Sequence, residues 1–308
     1  MIRNDGDFMD GIIPLWKPKG MTSHDCVQQI RKIYNTRKVG HTGTLDPMVE
    51  GVLPICINRA TKIVPYLTEM DKTYAAQVQL GIATETEDAH GEIIEEKAIT
   101  TPPTLNEIDD VLQSFKGLIT QIPPMYSAVR VKGKRLYEYA RENKFVERPK
   151  RQVKIYNIHR TSELLKGKTA FNFRVHCSQG TYIRTLCVDI GKKLNYPAHM
   201  SHLIRVTASS FSQEETITFA QINEAKRTNN LEKTVVSMLR ALQHMVKIEV
   251  DANIEQKISH GQKLKNFTHV MTSEPFLLVK DDHLLAIYQV DANNHNIIRP
   301  VRVFITNK

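Results

Sequence analysis

Residues 39–54 read VGHTGTLDPMVEGVLP, and this stretch surrounds Asp46 with residues that direct the backbone. Pro47 disfavours the α region for Asp46 and suits the first position of a following helix or turn. Threonine hydroxyls can bond to the backbone of such a loop, and three glycines permit backbone angles that residues with a Cβ avoid: Gly40, Gly43 and Gly51. The pattern predicts an ordered loop that presents a carboxylate for chemistry. An aspartate that only caps the structure after it remains an open alternative.

The whole chain is basic and long enough for about two domains. It has 42 Lys and Arg residues against 33 Asp and Glu, a formal charge of +9 and a pI of about 9.3. Such a charge favours a polyanionic partner through contacts with phosphate groups. With 308 residues and about 150 residues per domain as a soft expectation, two domains are predicted.

Cysteine usage and hydropathy predict a cytoplasmic protein with no metal site and no membrane segment. The four cysteines form no CxxC pair, which favours buried free thiols in a reducing compartment. No apolar run reaches the roughly 18 residues of a membrane span, and residues 1–10 lack the features of a signal sequence. His199 and His202 have the spacing of helical metal ligands, but no acidic or sulfur ligand set accompanies them. We therefore expect a pair of ordinary helix histidines.

Apolar periodicity predicts helices and strands in alternation. Helices with a capping box are predicted after Thr22 and after Thr104. Residues 73–82 and 171–177 show the two-residue alternation of half-buried strands, and the second of these leads into a helix that starts at Thr181. Such an order predicts an α+β fold, with a mixed, mainly antiparallel sheet and flanking helices.

The composition changes towards the C-terminus. A last helix is predicted over residues 235–245, and short apolar segments broken by Asp, Asn, His and Gly follow it. We therefore predict one domain over residues 1–246 and a small β domain over residues 247–308. A β domain of about 60 residues would depend on its neighbour for stability.

Residues 126–151 form the strongest candidate for a nucleic-acid arm. Nine Lys and Arg residues stand there against three Glu, and four aromatic residues are interleaved with them: Tyr126, Tyr137, Tyr139 and Phe145. Cationic groups can follow a phosphate backbone while aromatic rings accept bases. A solvated basic helix whose aromatic residues belong to the core would show the same spacing, so both interpretations remain open.

Five ordered motifs together resemble the tRNA pseudouridine synthase B family over most of residues 11–211. Besides the Asp46 loop, they are KPKGMTSHD at 17–25, KTY at 72–74, IPPMYSAVRVKGKRLYEYAR at 122–141 and GTYIRTL at 180–186. The resemblance implies a pseudouridine synthase fold, a mobile RNA-binding thumb near residues 122–151 and a PUA-type barrel as the C-terminal domain.

The resemblance also implies an activity, the isomerisation of the uridine at position 55 in the T loop of tRNA to pseudouridine. The bond between ribose C1′ and base N1 breaks, and the base is reattached through C5. No net redox change or added group is involved, so no cofactor is expected. The chemistry needs a carboxylate that attacks as a nucleophile or abstracts a proton, and the family's catalytic aspartate falls on Asp46.

Further site residues follow from the same resemblance. Arg184 is the partner of the aspartate and could pair with it bidentately, while Tyr74 packs against a uracil that is flipped out of the stack. The remaining residues are expected to contact the RNA substrate: His41, Lys17, Tyr126, Arg135 and Leu203. From the sequence alone, a surface arginine near a helix start remains the alternative for Arg184, while the spacing of Tyr74 predicts a core aromatic equally well.

Three positions depart from the family pattern. Thr207 stands where an arginine is usual, which puts an RNA contact in doubt. Ser209 and Asn58 stand where glycines are common, and asparagine tolerates the left-handed region better than most residues. None of these positions carries the predicted chemistry.

Two other functions fit the same features. A tRNA-binding or RNA-folding module could use the basic arm and the terminal barrel without catalysis, and a synthase for another RNA would share the catalytic residues. The partner expected here is the T stem-loop of tRNA, bound by a monomer.

Overall fold

The structure is a computed structural model, and it describes residues 9–165, 167, 169–267, 270 and 274–305. Residues 1–8, most of the N-terminal stretch used above to predict the compartment, lie outside this description. The strands are β1 (Gly11–Lys17), β2 (Val39–His41), β3 (Glu50–Ile57), β4 (Lys72–Leu80), β5 (Ile82–Thr84), β6 (Ile93–Glu96), β7 (Gly117–Gln121), β8 (Arg130–Val131), β9 (Lys134–Arg135), β10 (Arg151–Arg160), β11 (Ala170–Cys177), β12 (Ala198–Ala208), β13 (Phe211–Ser212), β14 (Lys247–Glu249), β15 (Leu264–Lys265), β16 (Phe276–Lys280), β17 (His283–Asp291) and β18 (Asn294–Val303).

Helices lie between these strands. The α-helices are α1 (Ser23–Ile33), α2 (Val64–Thr68), α3 (Leu105–Gln113), α4 (Leu136–Arg141), α5 (Ile183–Lys193), α6 (Phe219–Arg227), α7 (Met238–Ala241) and α8 (Ala252–Ser259), and 3-10 turns cover Asn58–Ile63, Gln213–Glu215 and Leu231–Thr234.

A nine-stranded mixed sheet forms the centre of the fold. Its main path runs β1-β3-β12-β4-β11-β10-β7, with β2 on β3 and β13 on β12. Every pairing is antiparallel except that of β3 with β12, where Ile204 lies opposite Glu50 and Arg205 opposite Gly51. The predicted α+β fold with a mainly antiparallel mixed sheet is confirmed. The parallel pair matters for function, because it places β12 directly beside the end of the Asp46 loop.

The predicted capping boxes are both present. Thr22 accepts from the backbone N–H of Asp25 and begins α1, and Thr104 accepts from that of Glu107 and begins α3. These bonds satisfy backbone donors that the first turn of a helix cannot pair internally. Helix α5 begins at Ile183, two residues later than predicted.

A second sheet of five strands covers the C-terminal part, in the order β14-β16-β17-β18-β15. This curled sheet agrees with the β-barrel-like, PUA-type domain predicted from the sequence. Some of its apolar side chains form a cluster of their own, and others join the central sheet in a shared cluster, which includes Ile12, Val52 and Cys56 from the central sheet and Leu277, Ile287 and Phe304 from the C-terminal part. The exact boundary at residues 246 and 247 remains a prediction.

Three details of the predicted secondary structure are wrong. No single helix covers 235–245: after a 3-10 turn that ends at Thr234, an extended link at Val236 bonds to Ile12, and the four-residue α7 follows. The strand from residue 73 ends at Leu80, because Gly81 has a φ of +89° and sends the chain into a separate hairpin. Backbone pairing across the molecule overrode local periodicity in both places.

The third error concerns the two histidines. His199 and His202 lie on strand β12, not on a helix. His199 is buried and its Nδ1 lies 2.8 Å from the carbonyl oxygen of Ile82, whereas His202 is exposed. Among the described residues, no group of three His, Cys, Asp or Glu side chains could hold a metal ion. None of the described helices is long and apolar enough to cross a bilayer.

Candidate active site

Asp46 lies at the start of a tight turn that is held from two sides. The N–H of Val49 donates to the Asp46 carbonyl at 3.0 Å, which closes the turn over Pro47. On one side, the hydroxyl of Ser23 accepts from the N–H of Leu45 at 2.9 Å. The carboxylate itself projects outward, and 43% of the Asp46 side chain is exposed. The turn is therefore fixed while its carboxylate is open to solvent.

On the other side, the turn rests on Lys17. This lysine is fully buried, and its ammonium donates to the carbonyl oxygen of Pro47 at 3.1 Å and to those of Pro18 and Met21. Burial lowers the pKa of the Lys17 ammonium. Its position favours support of the Asp46 turn over the direct RNA contact predicted for it.

Arg184 meets the carboxylate from the first turn of α5. Its Nε lies 3.1 Å from Oδ2 of Asp46, and only 7% of its side chain is exposed. The other two guanidinium nitrogens donate to carbonyl oxygens, Nη1 to Thr86 at 3.0 Å and Nη2 to Tyr126 at 2.9 Å. The bidentate geometry predicted for this pair is therefore wrong, because two backbone carbonyls take the ends of the fork.

The pairing leaves Oδ1 of Asp46 without a hydrogen-bond donor among the described residues. One carboxylate oxygen is thus held by a guanidinium while the other is free to react. Since Arg184 is fixed by two carbonyls and buried, it stabilises negative charge on Asp46 without needing to reorganise.

A small open cleft brings the predicted residues together. Asp46, Tyr74, Arg184 and Leu203 all line it, and its volume is about 90 Å³. Tyr182 lines it as well, and its backbone is fixed by the buried side chain of Gln121 through bonds of 2.9 and 3.1 Å. Tyr182 was not among the predicted site residues, although it lies inside the GTYIRTL motif.

Tyr74 stands on the buried face of β4 with 8% of its surface exposed. Burial raises the pKa of its phenol, while the bonded guanidinium of Arg205 opposes that shift. The hydroxyl therefore keeps its proton at neutral pH. Both interpretations of Tyr74 hold at once, because the ring belongs to the core cluster and also forms a wall of the cleft.

Arg205 is the functional candidate that sequence reasoning missed. It is 1% exposed and interacts with the Tyr74 hydroxyl. Its Nε donates to the carbonyl oxygen of Val52 at 2.8 Å, and its Nη2 donates to that of Gly43 at 3.0 Å. One side chain thus ties β3, the Asp46 loop and Tyr74 together. The sequence feature that could have identified Arg205 is a charged residue at a strand position that faces inward.

His41 and Lys72 surround the same loop. The Nδ1 of His41 accepts from the N–H of Gly43 at 3.2 Å, so its proton is on Nε2. Burial and the neighbouring Arg205 lower the pKa of His41, which keeps the ring neutral. Burial also lowers the pKa of Lys72 to about 8, and its ammonium donates to the carbonyl oxygens of Thr68 and Met70.

The departures from the family pattern keep the backbone in place. Ser209 has a φ of +57° and Asn58 a φ of +52°, so both residues adopt the left-handed conformation that a glycine would favour. The hydroxyl of Thr207 accepts from the N–H of Thr73 at 3.0 Å and so satisfies a backbone donor next to a bulge in the β4–β12 pairing. The turn placed in doubt at Ser209 is therefore formed.

Tyr126 and Arg135 lie on the basic segment. The Tyr126 hydroxyl donates to Glu85 at 2.8 Å, while its carbonyl oxygen holds Arg184. Arg135 is exposed on the short β8–β9 hairpin, where its guanidinium lies near the Tyr137 ring. Tyr126 is thus joined to the site through its backbone, and Arg135 does not line the cleft.

Comparison with known proteins decides the family. Residues 31–183 match the model described as TruB family pseudouridylate synthase (N terminal domain), and residues 184–247 match that of the tRNA pseudouridylate synthase B C-terminal domain. The chain belongs to the TruB family of pseudouridylate synthases. The predicted family and the prediction of an isomerase are thereby confirmed.

Relatives of this TruB-family chain match it along nearly its whole length. A protein named tRNA pseudouridine synthase B from Oceanobacillus iheyensis is 54% identical over 96% of this chain and 98% of its own. One of the same name from Bacillus pumilus is 46% identical over 98% of this chain and 99% of its own.

Solved structures agree with the TruB-family fold. An H/ACA ribonucleoprotein bound to a substrate RNA containing 2′-deoxyuridine matches with a TM-score of 0.74 and 26% identity, over 97% of this chain and 86% of that one. A Cbf5-Nop10-Gar1 complex matches with a TM-score of 0.73 and 27% identity, over 98% and 85%. Both likenesses extend through the central sheet and the C-terminal strands.

Proposed function

We propose that this protein converts the uridine at position 55 in the T loop of tRNA to pseudouridine, with Asp46 as the catalytic carboxylate. The observation that carries the proposal is the ion pair between Asp46 and the buried Arg184 at the mouth of a cleft walled by Tyr74 and Leu203. Relatives named tRNA pseudouridine synthase B support tRNA as the substrate.

The reaction moves a glycosidic bond. A uridine inside a folded T loop is stacked, so it has to leave the stack to reach the cleft. The free oxygen of Asp46 then attacks ribose C1′ or removes the proton from C2′, and the C1′–N1 bond breaks. The base rotates and C1′ bonds to C5 as the bond between Asp46 and C1′ breaks or, on the other route, as C2′ regains its proton from Asp46, after which the proton on C5 is lost and N1 gains one. Atoms and charge balance without a cofactor.

The neighbouring groups fit this sequence of steps. Arg184 pairs with Asp46 and fixes its orientation. Tyr74 keeps its proton and can lie against the uracil face or move a proton at C2′ or C5. His41 is neutral with its proton on Nε2, so it can donate a hydrogen bond to displaced RNA.

The experiment uses an unmodified tRNA transcript with wild-type protein and Asp46→Asn. This substitution preserves size and removes the charge. We expect wild type to form pseudouridine at the T-loop uridine and the variant to bind tRNA equally well without conversion. A transcript with cytidine at position 55 serves as the substrate control.

Each other outcome changes the proposal. Conversion by Asp46→Asn at the wild-type rate would remove Asp46 from the chemistry. Binding without conversion by either protein would leave a tRNA-binding or RNA-folding module, or a synthase for another RNA. Conversion of the cytidine-55 transcript at another uridine would contradict the proposed position.

The compartment and the oligomeric state belong to the same proposal. We place the protein in the cytoplasm as a monomer. The four cysteines, all buried and unpaired, support a reducing compartment. Light scattering on the purified protein with and without tRNA measures the number of copies.

A further inference from the structure

The four aromatic residues of the basic segment differ in what their side chains already contact. Tyr126 donates its hydroxyl to Glu85, and Tyr139 donates its hydroxyl to the carbonyl oxygen of Val131 at 3.0 Å. The Tyr137 ring lies 5.2 Å from the guanidinium of Arg141 and 5.8 Å from that of Arg135. All three rings are only partly exposed. These tyrosines are held by the protein's own groups.

Phe145 differs from them, because 95% of its surface is exposed. The next most exposed large hydrophobic side chain in the described part of the chain is Ile94, at 66%. The following residue, Val146, is buried. The buried Val146 thus anchors the chain directly after Phe145. The phenyl ring faces solvent from a backbone position that is fixed. A single exposed hydrophobic side chain is ordinary on a protein surface, so its surroundings decide its meaning.

A basic groove surrounds Phe145. Its volume is about 940 Å³, and four cations stand on it against the single carboxylate of Glu147: Arg130, Lys132, Arg148 and Lys150. Such a groove favours a polyanion, and an aromatic ring beside phosphate-binding cations is the arrangement that proteins use for single-stranded nucleic acid.

The groove is linked to the catalytic site through the backbone of residues 123–126. Arg148 donates to the carbonyl oxygen of Pro123 at 3.0 Å, and three residues further along the chain the Tyr126 carbonyl holds Arg184. A nucleic acid in the groove therefore lies beside Arg148, a side chain that is bonded to the stretch supporting the ion pair of Asp46 and Arg184.

We propose that Phe145 stacks on an unpaired base of the RNA substrate, a base other than the reacting uridine, while the groove's cations bind the adjoining phosphates. The inference rests on the proposed function for the identity of the RNA. Stacking accepts any base because every base has a π face. The contact therefore adds affinity without selecting a sequence, and it is separate from the chemistry at Asp46.

The test measures tRNA affinity and the rate at saturating tRNA for Phe145→Ser, Phe145→Leu and Phe145→Trp. We expect Ser and Leu to weaken binding by about tenfold, with an unchanged rate at saturation, and Trp to restore binding. Ile94→Ser is the matched control, because Ile94 is also an exposed hydrophobic residue but lies on an acidic hairpin. The tRNA affinity of this variant should equal that of wild type.

The tryptophan variant adds a direct reading of contact. The chain has one native tryptophan, Trp16, whose emission in wild type is the baseline. Stacking on a base should quench the added emission of Phe145→Trp when tRNA is bound. Wild-type affinity of Phe145→Ser, or emission from residue 145 that tRNA leaves unchanged, would overturn the proposal.

The same measurements distinguish two further outcomes. Equal affinity of the Leu and Trp variants would overturn stacking in favour of a general apolar contact, such as one with a protein partner. If wild type binds tRNA without forming pseudouridine, the proposed function fails, but the affinities and emission still decide whether Phe145 stacks.

Discussion

At the scale of single residues, the site depends on buried cations that never reach the cleft's opening. Lys17, Lys72 and Arg205 are all buried, and together they contact the backbone around Asp46 and Gly43. Burial of a charge is costly unless hydrogen bonds compensate it, and here carbonyl oxygens supply most of those bonds. These residues hold the loop around Asp46 in place.

Arg205→Lys should separate this positioning from RNA binding. A lysine ammonium keeps the charge but cannot reach Val52, Gly43 and Tyr74 in the geometry of a planar fork. We expect kcat to fall by roughly tenfold to a hundredfold, with KM for tRNA nearly unchanged, because small displacements of a catalytic group have effects of that size.

The control is Arg227→Lys, which changes an exposed arginine paired with Glu224 on α6 and should leave both constants at their wild-type values. A rise in KM alone after Arg205→Lys would show that Arg205 acts on RNA binding instead of on the position of Asp46.

Lys72 predicts a pH dependence of stability. Its pKa is lowered to about 8 in the folded protein, so between pH 8 and 10.5 the unfolded chain binds more protons at this residue. Stability contributed by Lys72 therefore rises with pH across that window, by about 3 kcal/mol in total. Urea unfolding of wild type and Lys72→Met, measured from pH 7 to 10, should show wild type gaining relative to the variant. A constant difference would mean that the ammonium titrates normally.

Sequence reasoning found the residues whose chemistry is visible in a motif, and missed those that act through burial. Asp46, Tyr74, Arg184 and Leu203 meet at one cleft, as their motifs predicted. Arg205 was not predicted, although its neighbours Leu203, Thr207 and Ser209 were considered. Its role depends on which strands pair with β12, and local sequence does not contain that information.

At the scale of elements, the parallel pairing of β3 with β12 fixes where the Asp46 loop lies relative to β12. Gly51 has a φ of +128°, and a Cβ there would lie 2.3 Å from the carbonyl oxygen of Arg205. A Cβ cannot lie that close to a non-bonded oxygen, so the two strands can approach this closely only if residue 51 is glycine. Gly40 was predicted for a similar role, but it lies in β2 and has no positive φ.

Gly51→Ala should therefore separate β3 from β12 and lower both stability and activity. We expect a loss of at least about 2 kcal/mol in the free energy of unfolding, since backbone strain and a clash with backbone atoms add together. Gly40→Ala is the matched control, because its Cβ would meet only Val64 at 3.7 Å. Equal stability of the two variants in urea titrations would contradict this account.

The starts of α1 and α3 could be predicted from the sequence, whereas the segments that connect elements could not. The capping boxes at Thr22 and Thr104 are local, so four residues suffice to specify each. The segment 235–245 has helical spacing, yet Val236 pairs with Ile12 from the first strand. The conformation of that segment is therefore set by a pairing partner more than two hundred positions away.

At the scale of the whole molecule, the two sheets share an apolar core. Phe304 is 2% exposed and belongs to the cluster that contains Ile12 and Cys56. Its carbonyl oxygen also accepts from Arg59. The C-terminal domain was predicted to lean on its neighbour, and this cluster is the surface through which it does so.

Phe304→Ala should destabilise the central sheet as well as the C-terminal one. Removing a buried phenyl ring costs about 3–5 kcal/mol. Trp16 packs against the same cluster from β1, so its fluorescence reports the unfolding of the central sheet in urea. We expect its transition to move to lower urea, with Ile94→Ala as an exposed control. An unmoved Trp16 transition would mean that the two sheets unfold independently.

The bond between Gly43 and Arg205 joins residues 162 positions apart, and this separation has a consequence during synthesis. The ribosome makes Asp46 early and Arg205 about two thirds of the way along the chain. Until β12 emerges and pairs with β3, a nascent chain holds the Asp46 turn through Lys17 and Ser23 but lacks the bond from Arg205 to the Gly43 carbonyl. A growing polypeptide should therefore acquire a working site only late in translation, and products that terminate before Arg205 should be inactive.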